Sequence, residues 1–238
     1  MEAISTIFNQ LLYQPLFNIL IFFYNIIPDF GVAIILLTLL LRIILFPLSK
    51  KGIKARKSLE ELQPKIKEIQ KKYKDKEERA RQMMNFYKEN KVNPASGCLP
   101  LLIQLPIFIA LYRLFINISE MITSNGQLEG VYSFIANPGT INPMFLGLTN
   151  LALPSLFLAI AAGVFQFIQS KIMFKSSPAK TQGADQKMNI QQSMGRQMTY
   201  FMPLIIVFIS LKLPAGLPLY WAVSTLFGIG EYWLVNRK

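Results

Sequence analysis

Histidine is absent from this chain, and cysteine occurs once, at Cys98. Without imidazole there is no histidine general base and no histidine-ligated metal. A lone thiol forms no internal disulfide and no multi-cysteine metal cluster. Charge is scarce as well: 16% of the residues are Asp, Glu, Lys or Arg, against about a quarter in a soluble domain. There is no Walker-type phosphate loop and no dinucleotide glycine motif. The first residues lack the basic stretch and small-residue cleavage site of a signal peptide, and the Arg-rich character of a transit peptide. No catalytic residue, cofactor or metal is expected, and an enzyme or an ATP-driven pump is disfavoured.

What is present is apolar. Hydrophobic residues make up 52% of the 238, and runs long enough to cross a bilayer core of about 30 Å recur. The formal charge of +12 is uneven. Residues 50–91 hold fifteen of the 25 Lys and Arg against seven acids, a net of +8. Such a segment reads as the topogenic cytoplasmic loop of the positive-inside rule, with attraction to anionic headgroups as a secondary effect.

The pattern predicts an all-α polytopic membrane protein with five spans, at about 30–48, 98–118, 151–171, 198–211 and 217–235. Residues 1–28 carry Gln10, Gln14, Asn18 and Asn25 in one narrow sector, interrupted by Pro15. That stripe predicts an amphipathic helix lying in the interface, though a sixth span is compatible with it. In 50–91, Leu59, Leu62, Ile66, Ile69 and Tyr73 keep a three-four spacing, and Ala80, Met83, Met84 and Tyr87 do the same. Two such helices turning at Lys74-Asp75-Lys76 predict a cytoplasmic hairpin, with Pro64 kinking or breaking its first arm. Residues 119–150 contain Glu120 and Glu129 and no Lys or Arg, which places them outside. Residues 172–197 hold Lys175, Lys180, Lys187 and Arg196 against Asp185, a polar cytoplasmic loop. The N-terminus is then outside and the C-terminus inside. In the third span Ser155, Ala159 and Gly163 recur every fourth residue, a face for close helix contact. The fourth span, at fourteen residues or about 21 Å, is short enough to imply local thinning of the bilayer.

Arg42 is the anomaly. It lies about 18 Å into the first span, where a charged side chain costs about 2.5–3.5 kcal/mol or more and should face protein or water. It either lines a wet cavity or belongs to a structural ion pair, for which Glu231 is the acid at matching depth. Asp29 and Arg113, nearer the outer face, read as interface anchors. Thr38 shares a face with Arg42, and Ser224 stacks with Tyr220. With Gln104, Gln166, Gln169 and Thr225 they are helix–helix glue one by one and a hydrophilic groove together. Trp221 and Trp233 fit the ordinary place of aromatics at an interface.

Three stretches carry a resemblance: LLLRIILFPLSKKG; ELQPKIKEIQKKYKDK running on to GCLPLLIQLPIFIALY; and FMPLIIVFISLKLPAGLPLYW. In order and spacing they resemble the YidC family of membrane protein insertases, together with its mitochondrial oxidase-assembly and chloroplast albino relatives. The resemblance covers nearly all of residues 30–235. It implies five helices around a hydrophilic groove open to the cytoplasm and to lipid, in the bacterial cytoplasmic (inner) membrane. It implies insertion of nascent membrane proteins without nucleotide hydrolysis, alone or with the secretion translocon. By position, Arg42, Thr38, Gln104, Gln169 and Ser224 fall in the groove, and Leu105, Phe108, Tyr220 and Trp221 on the face along which substrate helices slide. Anionic phospholipids, the translocon and the ribosome stand as further partners, and sequence-specific nucleic acid does not. Departures from the family pattern are the missing large extracytoplasmic domain, the missing N-terminal lipidation cysteine, a three-residue cytoplasmic tail, and Glu231 where a neutral polar residue is expected. Two other classes remain: an anion channel conducting past Arg42, and an assembly subunit in which Arg42 and Glu231 merely pack.

Overall fold

Away from water a backbone must close its own hydrogen bonds, and a chain this apolar does so as helix. The computed structural model describes residues 6–90, 92–93, 99–123, 128–173 and 190–237, and most of them are helical. The helices are α1 (Thr6–Ile26), α2 (Phe30–Lys72), α3 (Lys76–Glu89), α4 (Leu99–Thr123), α5 (Leu156–Met173), α6 (Ile190–Ser210) and α7 (Gly216–Asn236). Cys98, residues 94–97 and most of the polar segment 172–197 lie outside the described residues.

The first predicted span and the first hairpin arm are one helix. Asp29 starts α2 by accepting a hydrogen bond from the Val32 amide (2.9 Å), and the helix then runs for 43 residues through Pro47 and Pro64. Each proline removes only one amide from the ladder, and the Lys-, Arg-, Glu- and Leu-rich sequence around them keeps high helix propensity. Pro64 therefore does not break the arm. Asp75 caps α3 by accepting a hydrogen bond from the Glu78 amide (2.9 Å). Arg56 ties the base of this hairpin to α5 by donating to the last carbonyl of that helix, Met173 O, at 2.6 Å.

Two other boundaries move. Helix α5 begins at Leu156, five residues past the expected start, because 151–153 act as a strap. Leu151 and Leu153 carbonyls accept from the Gly216 and Ala215 amides (3.1 and 3.0 Å), which fixes the turn between α6 and α7. Helix α6 is 21 residues long, of which Thr199–Ser210 form a short apolar part. Among the described residues, four helices are apolar and long enough to cross a membrane: Thr6–Ile26, Phe30–Lys72, Ile103–Ile122 and Leu156–Met173. Length and apolarity thus select α1, which the polar stripe had set in the interface. They leave out α6, whose apolar part is short, and α7, which has the length but carries Ser224, Thr225 and Glu231.

The stripe on α1 has a definite partner. Asn18 is buried; it donates to Gly130 O (3.1 Å) and accepts from the Tyr132 amide (2.7 Å). Asn25 donates to Ala136 O (2.6 Å). Tyr24 Oη accepts from the Asn142 amide, and Asp29 from Leu146 N. The loop 128–150, whose one ladder is β1 (Met144–Phe145) antiparallel to β2 (Thr149–Asn150), is held on these side chains. Its β-turn places Leu146 and Gly147 at φ 50° and 69°, the left-handed region that suits glycine. Beneath the loop lies the main core: Phe17, Leu20 and Ile21 of α1, Ile34 and Leu37 of α2, Leu111, Leu114 and Ile118 of α4, and Leu217 of α7. Leu128 and Ile141 of the loop are part of that core, and Val131, Ile135 and Phe145 pack against it.

Helix α7 packs along α2 and α5, and α5 packs in turn on α6. Of the small-residue face predicted at Ser155, Ala159 and Gly163, Gly163 lies at the α6 contact, Ala159 is buried, and Ser155 precedes the helix. A Cβ built on Gly163 would fall 2.4 Å from Val207 Cγ2 and 3.2 Å from Pro203 O. Gly163→Leu should therefore force α5 and α6 apart and destabilise the bundle by about 1–3 kcal/mol, as overpacking does. Thermal unfolding in detergent measures this, and an unchanged midpoint would show that the contact is not a close one.

Candidate functional site

Arg42 sits on α2 just past the main core. Its guanidinium is held by α7: Nε donates to Ser224 Oγ at 2.8 Å, and Nη2 donates to the same hydroxyl. Nη1 lies 3.7 Å from Glu231 Oε2. That distance is an ion pair without a hydrogen bond. Ser49, two turns beyond Arg42 on α2, donates to Glu231 Oε2 at 2.9 Å. The side chain of Glu231 is 3% exposed and that of Arg42 21% exposed, so the arginine has the open side. Glu231 Oε1 is buried and accepts no hydrogen bond from the described residues.

Helix α5 closes a third side. Gln169 Nε2 donates to Thr225 O at 3.4 Å, and a Cβ added to Gly228 would lie 2.4 Å from that nitrogen and 4.0 Å from Arg42 Nη1. Glycine at 228 is thus what admits the amide to the space beside the guanidinium. One turn back, Trp221 Nε1 donates to Gln166 Oε1 (3.1 Å), and Gln166 donates to Ser170 Oγ (3.2 Å). The Trp221 ring meets Phe108 of α4 edge-on at 5.3 Å, and Gln104 of α4 donates to Tyr220 Oη. Polar side chains of α7 therefore bond to α2, α4 and α5 within about three turns.

Most of the predicted residues converge. Arg42, Ser224 and Glu231 meet directly, Gln169 reaches the same stretch of α7 through Thr225 O, and Gln104, Tyr220, Trp221 and Phe108 form the adjoining layer. Thr38 does not join them: it is fully buried and its hydroxyl donates to Ile34 O at 2.6 Å within its own helix. Leu105 is about half exposed on the outside of α4, beside exposed Ile109 and Tyr112. Asp29 and Arg113 are not partners; Asp29 caps α2 and holds the loop, while the Arg113 guanidinium lies 5.3 Å over the Phe8 ring. Ser49 and Ser170 were missed by sequence reasoning. Ser49 follows Arg42 by seven residues, hence on the same helix face, and that spacing was a usable signal.

Comparison with known proteins shows what the whole chain is similar to. The family described as "60Kd inner membrane protein" matches residues 22–238. A membrane protein insertase YidC of Treponema denticola is 40% identical over 222 residues, covering 91% of this chain and 36% of that protein. Its counterpart in Oceanobacillus iheyensis is 34% identical over 213 residues, covering 87% of this chain and 75% of that one. Most of the relatives are longer: this chain spans 37% of the Campylobacter jejuni protein and 40% of that of Oleidesulfovibrio alaskensis. A crystal structure of an active YidC insertase with its first transmembrane domain resolved superposes with a TM-score of 0.63 at 26% identity, covering 97% of this chain and 47% of that one.

Two hydroxyls on neighbouring helices should behave differently. Ser224→Ala removes the acceptor of two guanidinium N–H groups and should lower stability by about 1.5–3 kcal/mol, the usual range for a hydrogen bond to a charged group. Thr38→Val keeps the shape of a buried side chain whose bond is local, and should cost less than about 1 kcal/mol. Unfolding of the two variants in mixed micelles gives the comparison; equal losses would mean that Ser224 is not what holds Arg42.

Proposed function

The chain belongs to the YidC family of membrane protein insertases, and on that premise we propose that it takes short polar tails and apolar helices of nascent proteins into the bilayer. The observation that carries this is the state of Arg42: a guanidinium at membrane depth, fixed on one side by Ser224 and partly open on the other. In this reading α2, α4, α5, α6 and α7 are the five spans around a hydrophilic groove. The core under loop 128–150 faces outward, and the α2–α3 hairpin stands in the cytoplasm.

The physical argument runs in three steps. Moving a polar or acidic tail from water into hydrocarbon is opposed by desolvation. A wet, positively charged recess partway across lowers that barrier, because a charge in a low-dielectric wall attracts at short range. The apolar helix that follows then partitions into lipid, which supplies the driving force without nucleotide. Leu105 and Ile109 of α4, with Leu226 of α7, are exposed apolar side chains on helices that border the polar layer. They suit a path from groove to lipid. The short apolar part of α6 favours local thinning, which shortens the remaining distance. Anionic lipids at the basic hairpin, and the translocon and ribosome, are the partners that this reading implies.

The pairing of Arg42 with Glu231 favours a second reading, in which the two groups serve only architecture and the protein is an assembly subunit. Proteoliposomes separate the readings. With a single-span substrate bearing a short acidic tail, the protein should protect the tail from external protease, and Arg42→Ala should reduce protection to near the protein-free level. Equal protection with and without the protein would sink the insertase reading. Protection that survives Arg42→Ala would leave the insertase and reduce the arginine to architecture.

A further inference from the structure

We propose that Glu231 is a built-in competitor for Arg42: an internal counter-ion that sets how strongly the groove prefers acidic over neutral substrate tails. The inference rests on the insertase reading and goes beyond it, because it assigns substrate charge selectivity to a residue outside the substrate path.

The geometry is that of a contact made to be exchanged. Of the guanidinium N–H groups, Nε and Nη2 point at Ser224, which accepts both. Nη1 faces Glu231 at 3.7 Å, too far for a hydrogen bond, and no hydrogen bond to Nη1 is present among the described residues. The carboxylate is likewise half engaged. Oε2 is anchored by Ser49 at 2.9 Å, and buried Oε1 has no partner. A substrate carboxylate arriving at Arg42, whose side chain is 21% exposed, can therefore take the Nη1 edge without breaking a hydrogen bond. It gives up only the Coulomb attraction already held by Glu231, and it meets the repulsion of that neighbouring carboxylate.

Ser49 matters because it tethers the competitor. Held by α2 itself, the Glu231 carboxylate stays close when displaced and recaptures Arg42 when the tail leaves. The amide of Gln169, admitted by Gly228, adds a neutral donor on the α5 side. The resting groove is thus close to neutral, and the first residue of an acidic tail must outcompete an internal acid. Neutral tails, which do not need Arg42, are indifferent to Glu231. Selectivity, and not insertion as such, is what this residue controls.

Two readouts test this on the full chain. The first is insertion into proteoliposomes of paired single-span substrates whose short tails differ only by Asp against Asn. The second is binding of the corresponding tail peptides to the detergent-solubilised protein, followed by fluorescence anisotropy. Glu231→Gln should raise the acidic-to-neutral ratio about fivefold in both, the change expected when a unit charge about 4 Å away is removed in a wet site. Glu231→Met, apolar and of comparable volume, should shift the ratio in the same direction, which guards against an effect peculiar to the amide. A ratio unchanged or lowered in both variants would overturn the proposal. A raised binding ratio without any insertion by the wild type would uphold the competitor and discard the insertase reading.

Discussion

A single guanidinium in an apolar helix organises this bundle. Arg42 cannot be left in hydrocarbon unpaired, and the nearest ways to satisfy it come from α7 and α5. Ser224 supplies the acceptor, Glu231 the opposite charge, and Gly228 the room through which Gln169 approaches. These residues recur every three or four positions on α7, so one face of that helix is committed to the arginine. The same helix carries Tyr220 and Trp221 one turn earlier, which bond to α4 and α5. The polar layer is therefore continuous because the arginine fixes the rotation of α7, and α7 fixes which residues its neighbours meet.

The opposite end of the molecule is solved by different means. There the side chains are large and apolar, and the polar atoms belong mostly to backbone. Asn18, Tyr24, Asn25 and Asp29 reach out of α1 and the start of α2 to hold loop 128–150 by its amides and carbonyls. A loop tied down at four points covers an apolar core at that end, whereas around Arg42 the contacts between helices are polar.

Much of this was legible in the sequence, for reasons that can be named. Arg42 and Glu231 stood out because charge inside an apolar run is costly, and matching depth made Glu231 a candidate partner, with a wet cavity around Arg42 as the other reading. The close face on α5 was visible in the spacing of Ala159 and Gly163. The stripe on α1 was visible too, but its meaning was not. Asn18 and Asn25 look like a water-facing sector until loop 128–150, more than a hundred residues away, turns out to be their partner. Helix ends were misjudged where tertiary contacts set them: Leu151 and Leu153 offer their carbonyls to the α6–α7 turn, and no local signal announces that. Ser49 was passed over as the end of a span because the Lys-Lys that follows dominates the reading. Thr38 was grouped with Arg42 by spacing and by the resemblance, yet a threonine in a helix readily satisfies its hydroxyl four residues back.

The length of α2 has a mechanical consequence. From Arg42 to Lys72 the helix extends about 45 Å at the usual rise, as one unbroken shaft from the guanidinium to the hairpin turn. Such a shaft transmits torque, yet it is not uniformly stiff. At Pro47 and Pro64 a backbone hydrogen bond is missing, and bending there is easier than elsewhere along the rod. A push on the hairpin tip thus reaches the membrane as a deflection about two soft joints, the nearer of which lies between Arg42 and Ser49.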